Sequence, residues 1–236
     1  MIKKNILLVV LSTASVTFSS HVHSQEHNLY HENSESGQIF EDDGFLKVRS
    51  SPTSGWKKVA FDYEIQQPYD KQQSERYSFK DGVHDLWVFS NDKPHSPSSH
   101  TDPRTEIRIK NDYTHGWHQF EADFYVPSGT SGVNLMQIFG GGGSAATSFM
   151  LRIYDGELRR YSGQTLRKNA YNKWWHLNVI HNADSHHIEA YLDNQLVWQG
   201  EDHGSDNHYF KCGVYSQKGM SHKMESLWKN INIYVK

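Results

Sequence analysis

From Lys57 onward, short apolar or alternating runs recur between turn signals, and no stretch keeps a helical period for three turns. The runs are Lys57–Ile65, Val83–Phe89, Arg104–Lys110, His118–Val126, Val133–Phe139, Ser148–Tyr154, Trp174–Ile180, His187–Leu192, Leu196–Gln199, Tyr209–Gln217 and Leu227–Val235. Asp155-Gly156 and Asp193-Asn194 sit where tight hairpin turns belong. The pattern predicts an all-β fold, an antiparallel sandwich, and so many strands favour a jelly roll over a smaller immunoglobulin-like fold.

Two connections are distinctive. Ser90 to Pro103 is rich in Ser, Pro and His and feeds the Arg104 strand, and Gly140 to Gly143 reads as a hinge after the Gln137 strand. The glycine run lacks the following Lys-Ser/Thr and the helix that a phosphate-binding loop requires.

Alternation places a set of polar side chains on common faces. In the Arg104–Ile109 strand, Arg104, Glu106 and Arg108 point one way and Thr105, Ile107 and Ile109 the other. Glu106 is expected to hold both flanking guanidinium groups in register, leaving donors free for an external carboxylate. Between Tyr209 and Gln217, one face carries Tyr209, Lys211, Tyr215 and Gln217, with Gly213 leaving room between them; Phe210, Cys212 and Val214 face the core. In Val133–Phe139, Gln137 and Phe139 are predicted to share a face with Val133 and Leu135, opposite Met136 and Ile138. A glutamine in so apolar a run needs hydrogen-bond partners.

Composition narrows the classes. The 236 residues suit one all-β domain, and a formal charge of −3 gives no general reason to expect nucleic acid or anionic membrane as partner. Attraction for an anion must come from a local cluster of cations. Residues 1–24 read as a signal peptide: Lys3 and Lys4, an apolar stretch from Ile6 to Phe18, then small or polar residues. Residues 25–43 read as a flexible mature N-terminus with an edge strand at most, and residues 44–236 as the jelly-roll domain. After cleavage no segment is expected to cross a membrane, and the product is expected to be a secreted monomer, with delivery to a vacuole as the alternative. Cys212 is the single cysteine, so no internal disulfide can form. No histidine group has metal-ligand spacing and no loop has a calcium pattern, so neither metal nor other cofactor is expected.

These segments resemble the alginate-lyase superfamily of polysaccharide lyases, whose R-x-E-x-R, Q-I-H and Y-x-K-x-G-x-Y-x-Q strands stand here as Arg104–Arg108, Gln137-Ile138-Phe139 and Tyr209–Gln217. Within the superfamily the likeness is to plant citrate-binding proteins and glucuronan-lyase-like relatives, carried also by Gln66-Gln67-Pro68-Tyr69, Gly82–Val88 and Val126–Gly132. The resemblance implies a ligand groove across a concave sheet. It also implies that Arg104, Gln137 and Arg108 neutralise a substrate carboxylate, that Lys211 adds positive charge, and that Tyr215 is the catalytic phenol. Glu106, Tyr209 and Gln217 belong to the same face. Phe139 departs from the motif, where alginate lyases carry histidine. That argues against guluronate, whose C5 proton and C4 oxygen leave from opposite faces of the ring, and leaves elimination from one face of a glucuronate or mannuronate. His100, four residues before Arg104, is a candidate replacement base, and a solvent-exposed loop histidine is the plain alternative. Two functions follow: a lyase acting on a uronic-acid polysaccharide, or a protein that holds citrate or another polycarboxylate without turnover.

Overall fold

The computed structural model describes residues 39–42, 45–48, 52–141, 145–204 and 207–236. The predicted signal peptide, most of the predicted flexible N-terminus, and Gly142 and Gly143 of the predicted hinge lie outside the described residues. The strands are β1 (Ile39–Asp42), β2 (Phe45–Val48), β3 (Lys57–Val59), β4 (Tyr63–Gln66), β5 (Tyr77–Lys80), β6 (Val83–Phe89), β7 (Arg104–Ile109), β8 (Trp117–Tyr125) and β9 (Val133–Phe139). They continue with β10 (Thr147–Tyr154), β11 (Glu157–Arg160), β12 (Thr165–Arg167), β13 (Trp174–Asn182), β14 (His187–Leu192), β15 (Gln195–Glu201), β16 (Tyr209–Ser216) and β17 (Lys223–Val235). All described pairings are antiparallel, and the fold is a jelly roll of two packed sheets.

One sheet runs β12-β11-β10-β9-β16-β7-β4; the other runs β15-β14-β13-β8-β17-β6-β5, with β3 added against β17. Where a single strand was predicted over Lys57–Ile65, the chain changes sheets. β3 pairs with β17, while β4 pairs with β7. Hydrogen bonds from Asn111 to the Ala60 carbonyl and from Lys110 N–H to the Asp62 carbonyl hold the crossing. Alternation alone cannot report such a transfer, because both halves keep period two. β1 pairs with β2 in a two-stranded sheet of its own rather than serving as an edge strand.

The core lies between the two sheets. Ile107, Ile109, Met136, Ile138, Phe149, Phe210, Cys212 and Val214 from the seven-stranded sheet meet Leu86, Val88, Phe120, Phe124, Val179, Ile188 and Trp228 from the other. Phe120 touches both Phe210 and Trp228, at ring-centroid distances of 5.9 and 6.0 Å. Each such ring contributes roughly 1.5–3 kcal/mol by leaving water. The sheets are also joined by hydrogen bonds: Thr105 Oγ1 donates to the Trp87 carbonyl at 2.8 Å, and Ser226 Oγ to the Gly213 carbonyl at 2.9 Å.

A bulge shapes β16 and β9. Their register shifts between Cys212 and Tyr215, leaving the Gly213 carbonyl to Ser226. Gly213 has φ of 138°, and a Cβ there would stand 2.4 Å from the Thr105 carbonyl oxygen and 2.9 Å from Glu106 Cα. Glycine is required because the neighbouring backbone approaches so closely, rather than to leave room in a groove. The same irregularity corrects the predicted alternation of β9. Asn134, not Val133 or Leu135, shares a face with Gln137, because it lies opposite Tyr215 on one side and Arg152 on the other. Val133 pairs with Ile153 and joins the core.

Candidate carboxylate site

Register brings the predicted residues together on the outer face of the seven-stranded sheet. Across β7 and β16, Arg104 faces Tyr215 and Arg108 faces Lys211; across β16 and β9, Lys211 faces Gln137 and Tyr209 faces Phe139. Directly opposed residues in an antiparallel pair have neighbouring side chains, so three strands build one cluster.

Glu106 is its hub. Its fully buried carboxylate accepts from Arg104 Nη1 at 3.2 Å and from Gln137 Nε2 at 2.5 Å, with Lys211 Nζ at 3.7 Å. Arg104 also donates to Thr101 Oγ1 at 2.9 Å, and its guanidinium carbon lies 3.7 Å from the Tyr215 ring centroid. Its Nε is buried without a hydrogen-bond partner among the described residues. Lys211 is almost fully buried and donates to Gln66 Oε1 at 2.8 Å. Burial pulls the Lys211 ammonium below the usual lysine range, and neighbouring Arg104 and Arg108 act the same way; Glu106 opposes them. The Tyr215 phenol is pushed up, first by burial, while Arg104 and Arg152 pull it back. The cluster therefore holds two buried cations against one carboxylate, beside a protonated phenol. That excess of positive charge suits an incoming carboxylate.

Arg108 departs from expectation. It does not share Glu106; it reaches Asp112, four residues on, at 2.6 Å, and lies 3.8 Å over the Tyr209 ring. Tyr209 in turn stacks on Phe139 at 4.8 Å. Arg108, Tyr209 and Phe139 thus form a wall beside the cluster, with the arginine's charge matched by Asp112. Gln217 follows β16, and its amide donates to the backbone carbonyls of Tyr215 and Ser216.

His100 is exposed, and its ring makes no hydrogen bond to a described residue. The histidine of that loop within electrostatic reach of the cluster is His95. Burial holds its imidazole below the ordinary value, and the charges of Arg104 and Lys211 add to the effect. Its Nδ1 is buried without a partner among the described residues. The loop is tied to the segment after β4, where the Pro94 carbonyl accepts from Tyr69 N–H at 3.0 Å, so nearness in sequence to Arg104 misleads. The only signal available was a second histidine between two prolines. Gln66 and Arg152 were also missed: one lies on a strand that the sequence merged with its predecessor, the other beyond the β9 bulge.

A cleft of about 490 Å³ lined by Gly129, Ser131, Asp155, Tyr171, Gly219 and Ser221 shares no residue with this cluster. It carries a carboxylate and no cation, and Ser131 Oγ already donates to Asp155 at 3.0 Å, so it is a poor place for an anion.

The two-sheet jelly roll thus carries an Arg–Glu–Gln–Lys–Tyr cluster across three neighbouring strands. The family described as alginate lyase matches residues 61–235, and the chain belongs to that family. It is 46% identical over 199 residues to the citrate-binding protein of Hevea brasiliensis, an alignment covering 80% of this chain and 83% of that one. Among solved structures, the fold is similar to the family 7 alginate lyase AlyA1 of Zobellia galactanivorans, with a TM-score of 0.56, 15% identity, and coverage of 77% and 95% of the two chains. It is likewise similar to an alginate lyase of Pseudomonas aeruginosa, with a TM-score of 0.56, 16% identity, and coverage of 74% and 98%.

Proposed function

We propose that the protein is a polysaccharide lyase that cleaves a glucuronate-type or mannuronate polymer by syn β-elimination. The observation that carries this reading is Tyr215, whose ring lies face-on to Arg104 at 3.7 Å while its hydroxyl makes no hydrogen bond to a described residue. Arg104, the free N–H of Gln137 and Lys211 take the uronate carboxylate, stabilising the enolate-like charge that develops as the C5 proton leaves. Tyr215, as phenolate, removes that proton and returns one to the C4 oxygen as the C4–O bond breaks and the C4–C5 double bond forms. Phe139 offers no proton acceptor, which favours substrates whose two leaving groups share one face of the ring. Neutral His95 is a second base within electrostatic reach of the cluster.

A second reading is the holding of citrate without turnover. The 46% identity to a citrate-binding protein favours it, as does the resting phenol of Tyr215. Here Arg104, Lys211 and Gln137 bind one carboxylate, and Arg152 is placed for another. Secretion, implied by residues 1–24, goes with either reading.

The decisive experiment incubates the protein with glucuronan, polymannuronate, polyguluronate and pectate while following ultraviolet absorbance of the new double bond. Unsaturated ends that vanish in Tyr215→Phe are expected; none from any polymer would falsify the lyase reading. Calorimetry with citrate, on wild type and Arg104→Ala, tests the other. Heats unchanged by that substitution would remove the cluster as the citrate site.

A further inference from the structure

A second polar cluster lies away from the carboxylate site, where the ends of β13 and β15 meet the start of β16. His181 Nε2 lies 2.9 Å from Asp202 Oδ2, and His186 Nδ1 lies 3.1 Å from Asp202 Oδ1. His208 packs edge-on to His181 with ring centroids 4.7 Å apart, and one ligating atom each from His181, Asp202 and His208 falls within 4.8 Å of the others. The Asp202 and His181 side chains are fully buried, and His208 is 1% exposed.

Charge balance makes this cluster unusual. The Asp202 carboxylate is closed off from water and hydrogen-bonds with His181, His186 and Gly204 N–H. Among the described residues no lysine or arginine pairs with it; its ion-pair partners are His181 and His186. A buried carboxylate without a cation is costly. His208 adds a second deficit: its Nδ1 is buried and has no partner among the described residues.

We propose that His181, His186, Asp202 and His208 bind one divalent zinc ion. Three imidazoles and one carboxylate form a donor set suited to tetrahedral zinc, and the ion supplies a positive charge that no lysine or arginine among the described residues gives Asp202. Tyr113 completes the arrangement. Its hydroxyl lies 2.9 Å from His181 Nδ1, so that when Nε2 takes the metal the ring proton moves to Nδ1 and is donated to the phenol oxygen. The half-exposed His186 gives the ion a route inward. Because His208 immediately precedes β16 while His181 and Asp202 belong to the other sheet's strand ends, the ion ties the two sheets together at the start of the strand that carries Tyr209, Lys211 and Tyr215.

The test titrates chelator-stripped full-length protein with zinc chloride, by calorimetry and by thermal unfolding, in wild type, His186→Ala and His208→Gln. One ion per chain, a raised melting temperature, and affinity weakened on the order of tenfold or more in each variant are expected. His186 is partly exposed, so its alanine variant stays folded and decides the matter if His208→Gln does not fold. Cobalt(II) in place of zinc should give the intense visible bands of tetrahedral coordination. Wild-type protein that takes up no zinc overturns the proposal. So does zinc binding to which His186→Ala is indifferent, since the ion then sits on other histidines.

Discussion

Replacing Glu106 with glutamine tests the electrostatics of the carboxylate cluster more directly than removing a cation. The substitution keeps the shape and one oxygen for Gln137, but it turns an N–H toward Arg104 Nη1 and Lys211 Nζ, which now stand 3.2 and 3.7 Å from the carboxylate. At an effective dielectric of about 20, those two attractions are worth roughly 5 and 4 kcal/mol gross. Much of this offsets desolvation already incurred, and removing one partner from a buried ion pair costs about 3–5 kcal/mol net. For a domain of this size, 3 kcal/mol lowers the melting temperature by roughly 6–12 °C. Lys211 should also fall further below the ordinary lysine range, since Glu106 is the group that raises it. An external carboxylate replaces the lost charge, so citrate or an oligouronate should restore more melting temperature to Glu106→Gln than it adds to wild type. The assay is thermal unfolding at neutral pH with and without ligand. A variant melting within about 2 °C of wild type would mean that Glu106 does not balance the two cations, and the cluster argument would fall.

Other consequences are open to direct measurement. Gly213→Ala should destabilise by roughly 2 kcal/mol or more, because the new Cβ meets the Thr105 carbonyl oxygen at 2.4 Å; the urea midpoint should drop with the m-value unchanged. If Tyr215 acts as phenolate, turnover should climb above neutral pH toward its raised value and fade as Lys211, lowered by burial, loses its proton; an optimum on the acid side would contradict this. His84, held to about 4 by burial among Tyr63, Tyr77 and Phe79, stays neutral in the folded chain while the unfolded chain protonates near 6.5. Its contribution is therefore present above pH 6.5 and lost as pH falls toward 4. The ceiling is about 3 kcal/mol, reduced for partial exposure. His84→Phe should flatten that part of the stability–pH curve, and an unchanged slope would assign acid sensitivity elsewhere.

Period two was enough to separate Phe210, Cys212 and Val214 from Lys211 and Tyr215, and Ile107 and Ile109 from Arg104 and Glu106. The reason is local: a strand half buried in a sandwich must sort its side chains, whatever its neighbours are. Alternation fails where strands deviate from regularity. At the β9–β16 bulge, one unmatched residue reverses the faces, so Asn134 took the place assigned to Val133 and Leu135. Short, charged β11 and β12 gave no apolar signal, because this close to the sheet edge Leu158 alone of their residues is fully buried.

By itself the sequence determined the antiparallel sandwich, the motif strands, and which face of β7 and β16 is polar, since these depend on residues two apart. Only the tertiary structure decided which polar groups meet. Arg108 turned to Asp112, Glu106 became the hub for Arg104, Gln137 and Lys211, and His95 came within electrostatic reach of the cluster. His181, Asp202 and His208 came together from separate strands and turns that no spacing rule connects. Those contacts are set by register, loop closure and burial, which act between segments far apart in the chain.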